Sequence, residues 1–152
     1  MHLDPRGRSA FGAQVAQTAR IWRRAVDHRM RPFGLTEATW LPLLHLARAR
    51  SPMRQKELAA SLSLDGSSVV RLLDALQAAG LIERREEDGD RRAKAIVLTP
   101  LGRATVKKVE FAAQRVREAA LAELSDRDLA VASRVLDHVC RALAPVAGEP
   151  PA

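Results

Sequence analysis

Six residues of this chain have the types and spacing to do chemistry with a partner: Ser67, Ser68 and Arg71 on one edge of a helical pattern, and Asp90, Arg91 and Arg92 beside a turn. The chemistry they offer is recognition. A guanidinium fork donates paired hydrogen bonds to phosphate oxygens or to a guanine edge, a hydroxyl both donates and accepts, and an aspartate next to two arginines can hold one and aim it. Bond-making chemistry finds no counterpart. There is no G-x-S-x-G or Walker glycine pattern, and Asp65-Gly66-Ser67-Ser68 lacks a phosphate-binding lysine. The carboxylates scatter over helical surfaces, so no enzyme is expected. His2, His28, His45 and His138 are dispersed, and His138 and Cys140, two residues apart, face different sides of a helix, so neither metal nor cofactor is expected.

Two short helical patterns and a hairpin must position those six residues. In the first pattern Leu58, Ala59 and Leu62 share a face, and Ser63-Leu64-Asp65-Gly66 then interrupts the period with turn-forming residues. In the second, Val69, Leu73 and Leu76 at i, i+4, i+7 make a core stripe that leaves Ser67, Ser68, Arg71, Asp74 and Ala75 outward. Asp65 is placed to cap this helix and Gly80 to end it. Beyond Gly80, LIERR at 81–85 and KAIVL at 94–98 are β-compatible runs around Asp88-Gly89, a hairpin signal. Helix, turn, helix and a two-stranded ribbon make a winged helix over about 36–99. Its second helix suits a major groove, and an arginine on the ribbon suits the narrow A·T minor groove.

The flanks read as helices. Phe11, Val15, Ala19, Trp22, Val26 and Met30 step at helical spacing over about 9–30, ended by Pro32 and Gly34. Thr36 caps a second helix to about 48, with Pro42 inside it removing one backbone hydrogen bond and bending it locally. Thr99-Pro100 opens a long helix to about 124, and Ser125-Asp126-Arg127-Asp128 opens the last. There Leu129, Ala132, Leu136, Val139, Leu143 and Val146 alternate gaps of three and four, a coiled-coil-like seam. The expected architecture is one mainly helical domain over 1–152 with a small β-wing, its helices at about 9–31 and 100–146 pairing two copies. Cys140, the single cysteine, is expected to be a small buried hydrophobe of the last helix.

QKELAASLSLDGSSVVRLLDALQAAGLIERR followed by DGDRRAKAIVLTPLG resembles the winged-helix core of MarR-type bacterial transcription regulators, and ARIWRRAVDHRMRPFGLTEATW resembles the first two helices of their SlyA branch. The resemblance implies a homodimer on a pseudo-palindromic double-stranded DNA operator. It places Arg71 in the major groove and one arginine of Asp90-Arg91-Arg92 in the minor groove. It also implies a small aromatic carboxylate effector in a cleft near Arg20 and Trp40, with Trp22, His28 and His45 as further candidates. The SlyA pattern has a histidine four residues after the tryptophan; here Leu44 stands there and His45 one later. Peroxide-sensing members carry a cysteine near the first helix, a position without one in this chain.

A net charge of +7 over 152 residues agrees with a polyanionic partner. No apolar run reaches membrane-spanning length, and Met1-His2-Leu3-Asp4-Pro5 is not signal-peptide-like, so a cytoplasmic protein without a membrane partner is expected. Two other uses of such a fold stay open at this point: nonspecific architectural DNA binding, and a winged helix that docks protein.

Overall fold

The computed structural model of the chain describes residues 5–87 and 89–144, and for Pro5, Arg6 and residues 90–93 the backbone alone. The elements run α1 (Pro5–Met30), a 3-10 turn (Arg31–Phe33), α2 (Glu37–Arg48), β1 (Met53–Arg54), α3 (Gln55–Leu62), α4 (Gly66–Ala78), β2 (Ile82–Glu87), β3 (Asp90–Leu98), α5 (Pro100–Leu121) and α6 (Asp126–Leu143). The expected fold class, mainly helical with a small β-wing, is the one that forms. The wing is not two-stranded, however. Met53 and Arg54 pair antiparallel with Ile96 and Ala95, giving a sheet of order β1-β3-β2. Two residues are too few to carry a period-two signal, so β1 was illegible in the sequence.

Packing divides the chain into two compact units, Met1–Val116 and Arg117–Ala152. The first unit holds two adjoining cores. One gathers Leu43 and Leu46 of α2, Leu58 of α3, Val69, Leu73 and Leu76 of α4, Leu81, Ile82 and Ile96 of the wing, and Val106 of α5. The other gathers Val26 and Met30 of α1, Trp40 and Leu44 of α2, and Val109, Ala112, Ala113 and Val116 of α5. Helix α2 serves both because Trp40 and Leu44, one turn apart, occupy one face while Leu43 and Leu46 occupy another. Pro42 is itself buried and α2 continues through it.

The turns are set by residues with a reason to be there. Ser63 adopts the left-handed conformation (φ 53°) to end α3, and Leu64 N–H then donates to the Ala59 carbonyl at 2.9 Å. Gly80 (φ 73°) ends α4 in the same way, with Leu81 N–H reaching the Leu76 carbonyl at 3.0 Å. Thr99 joins the wing to α5: its hydroxyl donates to the Gly80 carbonyl at 2.5 Å and accepts from Gly102 N–H at 3.0 Å. Pro100, at the first helical position, gives up only a donor that had no helical partner. Thr36 stands at the N-cap of α2 but makes no side-chain cap bond.

In the second unit, Ser125 caps α6 by accepting from Asp128 N–H at 3.1 Å, while the Ser125 hydroxyl donates to the Asp128 carboxylate at 2.6 Å. This is half of a capping box, since the aspartate takes the serine hydroxyl and not the backbone N–H. No described residue of α6 is buried, and Leu143 of the seam is 78% exposed. Cys140 is exposed too, which corrects the expectation of a buried cysteine in this chain. Val146, the last seam position, lies outside the described residues. Among the described residues no helix is long and apolar enough to cross a membrane.

Candidate nucleic-acid interface

Helix α4 is fixed along one face and open along the other. Val69, Leu73 and Leu76 lock into the core, which leaves Ser67, Arg71 and Asp74 exposed and Ser68 half-buried, as the period required. Asp65 caps the helix by accepting from Ser68 N–H at 2.7 Å and from the Ser67 hydroxyl at 2.9 Å. Those bonds, the Ser68 N–H first and the Ser67 hydroxyl next, hold the Asp65 carboxyl below its ordinary pKa. One helix-start donor, the Ser68 N–H, is therefore taken by a carboxylate and is not free for a phosphate, so contacts from this edge fall to the serine hydroxyl oxygens and to Arg71. Among the described residues Arg71 is exposed and has no hydrogen-bond or ion-pair partner.

The cap has a pH signature. Because the folded carboxyl titrates below its unfolded value, its contribution is complete above the ordinary carboxylate range and disappears as pH falls through the lowered folded value. The start of α4 is expected to loosen on that acid limb, read as faster exchange of the Ser68 and Val69 amides, and Asp65→Asn should flatten the limb. An unchanged acid limb in that variant would show that the cap is not the titrating group.

The wing presents its charges unevenly. Ile82, Arg84 and Glu86 share one side of β2 by strand alternation, so Arg84 follows buried Ile82 inward and only Glu83 and Arg85 point to solvent at the root. Arg84 donates to Gln77 Oε1 at 2.7 Å and to the Asp74 carboxylate, which removes it from the solvated arginines of the hairpin. Arg85 pairs with Glu83 at 2.8 Å. Between Glu86 and Glu87 the register shifts, a bulge that re-aims the strand near its tip. Glu87 then meets Arg54 of β1, whose Nε and Nη2 donate at 3.0 and 2.6 Å from across the central strand. So Glu83 and Glu87, two of the acids that make the hairpin look unsuited to a polyanion, are neutralised by Arg85 and Arg54. The side chains of Asp90, Arg91 and Arg92, expected at the minor groove, lie outside the described residues. Gly89 (φ 82°) supplies the left-handed turn residue there.

Arg54, Asp74, Gln77 and Glu87 were not singled out from the sequence. Arg54 also begins α3, its N–H donating to Glu57 Oε2 at 2.7 Å, so Glu57 three positions into α3 was the one available signal.

The five effector candidates are placed apart. Arg20 and His28 are exposed and Trp22 is half-buried, all on α1, where the two-residue step from Arg20 to Trp22 puts them on different faces. Trp40 is 2% exposed and its Nε1 donates to Asp27 at 3.2 Å. His45 lies 3.1 Å from the Ser61 hydroxyl, its pKa lowered by burial first and by the Arg48 charge second. None of the five lines either of two clefts in this unit. One, about 440 Å³, lies between Leu41 and Pro42 of α2 and Leu62, Leu64 and Leu72 of the helix pair. The other, about 280 Å³, lies between the end of α2, β3 and Arg103.

A helix-turn-helix with a β-wing, its second helix polar outward and carrying the exposed Arg71, defines a winged helix-turn-helix DNA-binding protein. Residues 33–93 match the sequence profile described as MarR family. The chain is 41% identical to transcriptional regulator PA3341, whose crystal structure aligns over 88% of this chain and 97% of that one with a TM-score of 0.82. CouR from Rhodococcus jostii RHA1 bound to p-coumaroyl-CoA shares the fold at 24% identity and TM-score 0.76, over 91% of this chain and 95% of that one. Staphylococcus aureus MarR in complex with salicylate and kanamycin does so at 19% identity and TM-score 0.79, over 91% and 93%. The chain belongs to the MarR family of transcriptional regulators.

Proposed function

We propose that two copies of this chain bind one pseudo-palindromic operator, each laying α4 in a major groove while a wing arginine, Arg91 or Arg92, enters the adjacent minor groove. The observation that carries the reading is the unpartnered Arg71, held on the open edge of a helix whose other face is immobilised in the core. Two such helices one DNA turn apart, roughly 34 Å, supply affinity that one lacks. Pairing falls to the terminal helices. Val15 and Ile21 of α1 and Val131, Val135, Leu136 and Leu143 of α6 are exposed in the single chain and are the apolar side chains a second copy would cover. Such a regulator acts in the cytoplasm, on the nucleoid when bound.

A small aromatic carboxylate is the proposed effector, with the SlyA-like placement part of the same reading. Salicylate on one relative supports the carboxylate chemistry, and p-coumaroyl-CoA on another, whose acid is a thioester, supports the aromatic part alone. Arg20 would hold the carboxylate, with His28 farther along the same helix as a further contact and Trp22, on another face and packed at the core margin, backing the cleft. Trp40 and His45, already bonded within the chain, would support that cleft and not line it with free groups. The effector releases DNA by preferring a dimer with a different helix separation.

The test is to sequence DNA recovered with the protein and compare the enriched site with random duplex. Arg71→Ala is expected to cost about 1–3 kcal/mol at the enriched site, if Arg71 is bidentate to guanine, and far less on random DNA. Equal affinity of the unaltered protein for both duplexes would remove operator recognition in favour of an architectural role. Operator affinity unchanged by salicylate and a panel of related acids would remove the effector and leave the rest.

A further inference from the structure

Arg84 looks like one more basic residue of a DNA-binding hairpin, but its surroundings differ from those of its neighbour. Its side chain is 24% exposed, against 64% for Arg85, because strand alternation turns it toward α4 behind Ile82. There its guanidinium spans two residues of the recognition helix almost one turn apart, donating from Nε to Gln77 Oε1 at 2.7 Å and from Nη2 to Asp74 Oδ1. Nothing else described on β2 bonds to α4 by a side chain. Asp74 is 60% exposed on the outward edge of α4, one turn beyond Arg71. An acid on the edge that faces a polyanion is unfavourable for binding by itself, so its place there calls for a partner.

We propose that Arg84, through Asp74 and Gln77, is a positioning residue that fixes the angle between wing and recognition helix, and that it contributes to operator choice without touching DNA. Reading major and minor groove together requires two probes at a set separation. The planar fork is suited to that task because it holds two acceptors in one plane, which an ammonium does not. The Arg54 to Glu87 pair ties the far end of β2 to β1, so the ribbon is held at its root by α4 and near its tip by the start of α3. A hairpin held at one end only would pivot.

This inference rests on the DNA-binding reading above, and the experiment separates the two. Affinities for the enriched operator and for random duplex are measured over a range of salt for the unaltered protein, Arg84→Lys, Asp74→Asn and the pair combined. The expected result is an operator-to-random ratio lowered roughly tenfold in each single variant, no further loss in the double, and an unchanged salt slope. Arg84 as a phosphate contact predicts a different outcome. Arg84→Lys would keep the charge and most of the affinity, Asp74→Asn would strengthen binding to both duplexes by relieving repulsion, and the two effects would add. That pattern overturns the proposal. Hydrogen exchange of β2 and β3 amides is read on the same variants without DNA. Faster exchange in both single variants supports the clamp even should the unaltered protein show no operator preference, which would remove the DNA reading alone. Exchange equal to that of the unaltered protein overturns the clamp whatever the DNA result.

Discussion

Gly102→Ala is expected to destabilise the first unit by about 3 kcal/mol, near the upper end for overpacking, although it adds a single methyl group to a helix and should favour helix formation. A Cβ built on Gly102 stands 2.0 Å from the Leu81 carbonyl oxygen and 3.1 Å from its carbon. Neither is the movable end of a side chain. The Leu81 carbonyl also accepts from Thr99 N–H at 3.1 Å, so the backbone that would have to retreat is tied to the start of α5. Retreat of Leu81 would in turn disturb Gly80, whose carbonyl accepts the Thr99 hydroxyl, and Ile82, which is 1% exposed in the core under the wing. Helix propensity gains about 1 kcal/mol from the change at most, so the clash decides the sign. Urea unfolding followed by far-ultraviolet circular dichroism measures it as a lower midpoint at constant slope. A midpoint equal to or above that of the unaltered chain would mean α5 does not seat against Leu81 as described.

That junction also shows where the sequence was legible. Periodicity placed α3 and α4 and their core stripes because each local choice agrees with the fold: Asp65 caps, Gly80 stops, and Leu73 and Leu76 face inward. It placed Thr99 and Pro100 at the start of α5 for the same reason. It said nothing of Gly102, because a glycine inside a helix looks like a mild cost until the element that approaches its bare Cα is known. The same limit applied to charge. Sequence alone treated Arg84 and Arg85 alike, whereas strand phase sends one against α4 and the other to solvent. It could foresee pairing of acids with arginines at the wing, but the described partners, Arg54 for Glu87 and Arg85 for Glu83, include one 33 positions away in sequence. Cys140 was misjudged from a different cause. A seam that is apolar by spacing predicts burial only where something covers it, and α6 in this chain leaves its seam open.

Trp40→Ala is expected to cost about 3–5 kcal/mol, the range for truncating a large buried aromatic. The indole is among the largest fully buried side chains here, and it packs where α1, α2 and α5 meet, against Val26, Met30, Leu44 and Val109. No second large ring stands by to fill the space, since aromatic residues are 3% of the chain and Trp22 packs only at the margin of this core. Its Nε1–H also satisfies Asp27, a half-buried carboxylate that keeps only a 3.9 Å pairing with Arg31 when the indole is gone. Trp40→Phe separates the two contributions. It keeps most of the volume and removes the donor, so it should lose about 1–3 kcal/mol, the cost of leaving one polar partner unmet. The pair of variants also bears on the effector. A tryptophan serving as the wall of an open ligand cleft would be removable at little cost to stability and at large cost to salicylate affinity. A tryptophan serving as the anchor of this core gives the opposite order: urea midpoints fall steeply from Trp40 to Phe to Ala, and ligand affinity in the folded Phe variant changes little. A midpoint for Trp40→Ala close to that of the unaltered chain would transfer Trp40 from the core to the ligand site.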